Sequence, residues 1–322
     1  MGSARTLKAQ SEGGPRPPPN KALQELSEGN VKPLTEMAHA CKPDGDYAMG
    51  KKLDAGSQGS VYLAKDRKQG TEVAVKHVQL QSNKPNSKEL SLLTSEVAFL
   101  FACDHPNIVK LFTVYKNDRD VYLVMECMGG GKLTDIIEDP STSFNEKQIA
   151  AILTEVLKGL AYLHRDGCMH RDIKSDNVLL NADGEVKLGD FGFVASVTKQ
   201  MMNKRTTVVG TPYWMAPEVI QGEYDLKADI WSIGILMIEL CDKEPPWMDL
   251  SPMQAMYKIT HNPPPTLEKS KRKWSAECHD FLRLTVMKKP RDRPSADELL
   301  KHPFLVQHKG ADTRFLKSML KK

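Results

Sequence analysis

An α+β fold in two unequal parts is what this sequence predicts, a small antiparallel sheet followed by a larger helical region. Three observations carry that reading. Runs rich in Val and Tyr, "SVYLA", "EVAVKHV" and "VYLVME", are bounded by Gly, Asp or Asn, as strands of a mainly antiparallel sheet should be. Between them Leu90, Leu93, Val97 and Leu100 recur at helical spacing and place one helix among the strands. After Gly131 the apolar period turns helical, so the two parts join near residues 126–131.

Each segment follows in chain order. Residues 1–46 hold "GGPRPPPNK" and "KPDGD" without a continuing apolar period and read as a flexible arm. Within it "PRPPP" suits either a polyproline helix for an SH3-type partner or a plain linker. The sheet-rich part spans 47–125, a connector 126–131, and the helical part 132–306. There Ser143 and Glu146 form a capping box ahead of Ile149, Ile152, Leu153, Val156, Leu157 and Leu160, with Gly167 beyond the helix end. Ser295 with Glu298 makes a second box. The run "IWSIGILMIEL" (230–240) is too short to span a bilayer and contains Glu239, which predicts a buried core helix. The basic end, 307–322, with "TRFLKSMLKK", reads as a docking helix or a frayed tail.

Composition narrows the function classes. At 40% hydrophobic and 27% charged residues, the 322-residue chain is an ordinary globular protein. Its net charge of +4 predicts neither nucleic-acid nor membrane binding. Six cysteines without a C-x-x-C pair point to reduced thiols in the cytoplasm. The first thirty residues carry no secretory signal, and Met1-Gly2 with Thr6 fits only a short myristoylation pattern. The run "KSKRK" (269–273) reads as a solvated loop or a basic patch.

The chemistry begins at "KLDAGSQGSVYLAK" (52–65). Gly56, Gly59 and Val61 fill the last three marked places of G-x-G-x-x-G-x-V, and Asp54 stands where the first glycine belongs. Alone, the stretch reads as an ordinary hairpin turn. Downstream, in order, come "VAVK" ending in Lys76, a helix bearing Glu96, "HRDIKSDN" (170–177), "DFG" (190–192) and "APE" (216–218). Together they resemble the protein-kinase signature set. The motifs "DIKSDN", "GDFGF" and "KRTTVVGTPYWMAPEV" resemble serine/threonine kinases of the sterile-20 group, closest to the p21-activated kinases, over residues 47 to about 306.

That resemblance implies the bilobal protein-kinase fold, ATP and Mg2+ as cofactors, and protein substrates. It makes Lys76 the phosphate-binding lysine oriented by Glu96, with Glu89 on the same helix as the competing carboxylate. Asp172 accepts the substrate hydroxyl's proton, Lys174 steadies the transferring phosphate, and Thr211 marks hydroxyamino specificity. Asn177 and Asp190 are the magnesium ligands, hard oxygens of the type that ion prefers. Leu53, Gly56, Gly59, Val61, Ala74, Met125, Glu126, Met128 and Leu179 enclose the nucleotide, Met125 being the gatekeeper. Thr207, with Thr206 adjacent, matches the activation-loop phosphosite, and Arg171 the partner of its phosphate. Glu218 pairs with Arg293, while Phe191, His170, Leu100 and Asp229 form an internal spine. Asp176 and Glu239 fall where basophilic kinases face a substrate arginine. Asp54 is expected to adopt positive φ and, through its charge, to weaken ATP binding. Two features depart from the family: "SNKPNSK" lengthens the link between Lys76 and Glu96, and no small-GTPase-binding segment is visible in this chain. Retention of Lys76, Asp172 and Asp190 favours an enzyme over a scaffold-type pseudokinase, and "GTPYWMAPE" disfavours a small-molecule kinase.

Overall fold

The computed structural model describes residues 20–27, 31–56, 59–82, 84, 87–192, 195–196, 210–267 and 272–320. The "PRPPP" run, Gly2, Thr206 and Thr207 lie outside them.

Two short helices, α1 (Lys21–Ser27) and α2 (Leu34–Met37), precede the sheet within the stretch that composition reads as an arm. Both are anchored, through the buried Leu23 and Leu34. Asn20 Nδ2 donates to the Ala102 carbonyl at 2.6 Å and to the Tyr162 hydroxyl at 3.0 Å. So few apolar anchors give no period to read.

Five strands follow: β1 (Tyr47–Gly56), β2 (Gly59–Asp66), β3 (Glu72–Gln79), β4 (Leu111–Asn117) and β5 (Asp120–Glu126). They pair antiparallel throughout in the order β1-β2-β3-β5-β4. Gly59, at φ +122°, lies so close to β3 that a Cβ would sit 2.3 Å from the His77 carbonyl oxygen, so only glycine fits there. One sheet face holds a small core of Tyr47, Ala64, Val73, Val75, Tyr115 and Val124. Helix α3 (Lys88–Ala102) is capped by Ser87, whose side chain accepts the Leu90 N–H, and buries Leu93, Val97 and Leu100 in the main core.

The helical lobe opens with β6 (Gly131–Lys132) and α4 (Leu133–Ile137). Helix α5 (Glu146–Arg165) buries Ile149, Ile152, Leu153, Val156, Leu157 and Leu160 along one stripe. Its capping box is Asn145 with Gln148, a correction of the expected Ser143–Glu146 pair. This phase puts buried Phe144 just before the cap and buried Ile149 in the first turn, a hydrophobic staple that the earlier start would lose. Glu146 instead accepts from the Ser275 N–H and hydroxyl, both at 2.6 Å. Ser295 and Glu298 do form their box.

Strand β7 (Cys168–Met169) leads into β8 (Val178–Leu180) and β9 (Val186–Leu188), with β6, β8 and β9 forming a small sheet. Helices α6 (Pro217–Gln221), α7 (Lys227–Asp242), α8 (Pro252–His261), α9 (Ala276–Thr285), α10 (Ala296–Leu299) and α11 (Pro303–Val306) complete the lobe. Helix α7 is buried on all sides from Ala228 to Cys241. The basic end is docked as far as it is described: Leu316 is buried, and a Cβ on Gly184 (φ +83°) would meet Thr313 O and Lys317 N at 2.9 Å. Arg272 of the basic run donates to the Phe144 carbonyl at 2.6 Å. No disulfide joins any of the six cysteines. Among the described residues no helix is long and apolar enough to cross a membrane.

Candidate active site

Strand β3 ends its apolar alternation at Lys76, and the third turn of α3 presents Glu96 to it. Lys76 Nζ lies 3.0 Å from Glu96 Oε1 and 3.9 Å from Asp190 Oδ1. Burial works against the Lys76 ammonium, but the Glu96 and Asp190 carboxylates outweigh it and raise its pKa above the ordinary lysine value. Glu89, the competing carboxylate, turns away and accepts the Gln81 N–H at 2.9 Å.

The loop between β7 and β8 carries the second cluster. Asp172 Oδ1 accepts from the Thr211 N–H at 3.0 Å and the Thr211 hydroxyl at 2.9 Å. Lys174 Nζ donates to the same hydroxyl oxygen at 2.9 Å and lies 3.7 Å from Asp172 Oδ2. Asn177 Nδ2 donates to the Asp172 carbonyl at 2.7 Å and to its Oδ2 at 2.8 Å. With the amide nitrogen so engaged, Asn177 Oδ1 is the atom left for a ligand.

This loop is strained and held. Arg171 adopts φ +69° and Asp190, just after β9, φ +53°, conformations that cost about 1–3 kcal/mol at a non-glycine residue. Buried Asp229 accepts the N–H of His170 at 2.9 Å and of Arg171 at 2.8 Å, and His164 Nε2 lies 2.9 Å away. Burial alone favours the neutral acid at Asp229, yet His164, His170 and the Arg171 N–H keep its carboxyl below the usual range. Phe191 is buried, its ring 5.0 Å from His170 and 5.4 Å from Phe99. Phe99 and His164 escape a reading by motif; Phe99's signal is its place one helical turn after Glu96. Arg171 also donates to the Tyr224 hydroxyl at 3.2 Å.

Between the lobes, buried Ala74 pairs with Met125, Val61 with Lys76, and Leu179 with Lys132. Leu53 is exposed, and Met128 and Leu179 are half-buried. Glu126, at the end of β5, is held by Lys187 at 2.7 Å. A Cβ on Gly56 would meet nothing within 4 Å, so the fold itself leaves space there. Asp54 does not adopt the expected positive φ: it stays extended in β1, opposite Val61. Its Oδ2 lies 2.8 Å from Lys132 Nζ, a partner the motif reading missed.

Glu239 is a second correction. It does not face a substrate: only 4% exposed on the fully buried α7, it accepts from the Ser175 hydroxyl at 2.6 Å and from Trp214 Nε1 at 2.7 Å. Asp176 is 40% exposed and lies 3.9 Å from Lys174.

The family model for the protein kinase domain matches residues 47–305. This chain belongs to the protein kinase family. Its fold is accordingly the bilobal kinase fold, and the family's activity is phosphoryl transfer to proteins. Protein kinases take ATP as phosphoryl donor, typically with Mg2+. The residues fit that ion: Asp190, 39% exposed, and Asn177 Oδ1 offer two hard oxygens, and magnesium takes few protein ligands beside phosphates and water. Among the described residues no group of three His, Cys, Asp or Glu side chains gathers for an all-protein metal site. Glu218, 6% exposed, closes the kinase's lower lobe by pairing with Arg293 at 2.8 Å.

Proposed function

We propose that this kinase transfers the γ-phosphoryl group of ATP to serine or threonine hydroxyls of proteins, as a member of the sterile-20 group near the p21-activated kinases. The observation that carries this reading is the Asp172–Thr211–Lys174 cluster, in which Thr211 bonds Asp172 at 2.9 and 3.0 Å and Lys174 at 2.9 Å, with Lys174 3.7 Å from Asp172. An acceptor hydroxyl entering beside Thr211 finds the Asp172 carboxylate as its general base, a role worth about 10²- to 10⁴-fold in rate. Lys174 faces the same point and offsets negative charge on the group in transfer. Lys76, braced by Glu96, holds the donor's phosphates from the opposite lobe. Asn177 and Asp190 would hold a magnesium ion, which would supply charge neutralisation at the phosphates.

Leu53, Val61, Ala74 and Leu179 provide apolar walls for adenine, with Met125, Glu126 and Met128 along its back edge. Gly56 and Gly59 let main chain approach the phosphates. Phosphorylation of Thr207, outside the described residues, activates the enzyme by giving Arg171 an anionic partner. Asp176 remains as an acidic group for basic substrate sites. The thiol chemistry suits a cytoplasmic setting. The test is incubation with Mg2+ and ATP, followed by phosphoamino-acid analysis and mass spectrometry of the chain and of an Arg-rich serine peptide. Phosphoserine or phosphothreonine, label at Thr207, and loss of at least ~10²-fold activity in Asp172→Asn and Lys76→Met are expected. Phosphotyrosine alone, or undiminished activity in Asp172→Asn, overturns the reading.

A further inference from the structure

Asp54 sits where a glycine would leave the roof of the cleft without a side chain. Its carboxylate reaches across: Oδ2 is 2.8 Å from Lys132 Nζ, while Oδ1 accepts its neighbour Ala55's N–H at 2.8 Å. The two ends belong to different lobes. Asp54 lies opposite Val61 in the β1–β2 hairpin, and Lys132 lies opposite Leu179 in the β6–β8 pair. Val61 and Leu179 are the roof and floor assigned to adenine above, so the ion pair runs beside them from roof to floor. Lys132 is fixed at its base, because its own N–H donates to Asp135 Oδ2 at 3.1 Å. The side chains are 49% and 36% exposed, open enough to part and re-form. The hydrogen bond from Lys132, foremost, holds the Asp54 carboxyl below its usual range, so the bridge is charged at neutral pH.

We propose that Asp54 and Lys132 form a salt-bridged gate across the mouth of the nucleotide cleft, tethering the glycine-bearing hairpin to the lower lobe and slowing nucleotide exchange. The proposal rests on the reading of that cleft as the ATP site. Both are positioning residues: they touch each other rather than the reacting atoms. Because the pair ties the hairpin to the lower lobe, it slows entry as well as exit and alters affinity less than rate. An exposed ion pair is a weak tether, so the effect is about two- to five-fold. The gate also reverses an expectation drawn from charge alone. If Asp54 merely repelled the triphosphate, Asp54→Gly would slow release; if it bars the mouth, Asp54→Gly quickens it.

Stopped-flow measurement with Mg2+ and N-methylanthraniloyl-ADP separates these outcomes. Asp54→Gly and Lys132→Ala are each expected to raise association and dissociation rates about two- to five-fold. The swap Asp54→Lys with Lys132→Asp is expected to restore slow exchange. Added salt should quicken exchange in the wild type and the swap but not in the single variants. Unchanged rates, slower release in Asp54→Gly, or an effect of Asp54→Gly that Lys132→Ala does not share overturns the gate while leaving the ATP site standing. Failure of the wild-type chain to bind the nucleotide overturns both.

Discussion

Glu239 bears a carboxyl in surroundings that disfavour its charge. Burial pushes its pKa up to about 7, against the opposing pull of hydrogen bonds from Ser175 and Trp214. In the unfolded chain the same group titrates near its ordinary 4.5. The folded state therefore holds this proton more tightly. Its stabilising contribution is complete below pH 4.5 and is lost as pH rises through about 7. Glu239→Gln removes the titration, so the variant's stability relative to wild type should rise by roughly 2–3 kcal/mol between pH 5 and 8. Urea unfolding at the two pH values measures it, and a difference that does not move with pH rules the account out. At this scale the motif residues were legible because phosphoryl transfer demands particular side chains at particular offsets. Glu239 was not, because nothing in a run of apolar residues says whether its carboxylate meets solvent or a serine.

The N-terminal helix α1 is an element whose docking composition concealed. Asn20 spans the end of α3, through the Ala102 carbonyl, and α5, through the Tyr162 hydroxyl. Tyr162 in turn accepts the Asp104 N–H at 3.2 Å, just beyond α3. This joint steadies the end of the helix that holds Glu96 against Lys76. Combining Asn20→Ala with Leu23→Ala, which empties a buried site, should undock α1 at the cost of about 2–5 kcal/mol locally. Faster amide exchange in the last turn of α3 with little change in global melting is the expected signature. Protection unchanged in α3 would show that α1 is a passenger. The phase of α5 makes a related point: both Ser143–Glu146 and Asn145–Gln148 have capping-box spacing. Only the burial of Phe144 and Ile149 together selects the second.

Across the whole molecule, Glu218 and Arg293 tie α6 to the segment before α10, seventy-five residues further along the chain. Arg293 is buried over the Trp231 ring, 5.1 Å away, and also donates to the Met287 and Lys227 carbonyls at 2.7 and 2.8 Å. Arg293→Ala leaves a buried carboxylate alone, a loss of about 3–5 kcal/mol. The melting temperature should fall on the order of 10 °C, with Arg293→Lys recovering only part because it cannot keep the forked geometry. Calorimetry decides, and an unchanged melting point would mean that the pair is incidental. Strands β2, β3 and β5, helices α3, α5, α7 and α10, the change from sheet to helix near residue 131 and the motif residues were legible in the sequence, since apolar period and side-chain chemistry are local properties. Where Glu239 points, that α1 docks, and that Asp54 finds Lys132 across the cleft were decided only in three dimensions. Each depends on the approach of segments far apart in the chain, and that approach follows from how the lobes bury their cores rather than from any short stretch of residues.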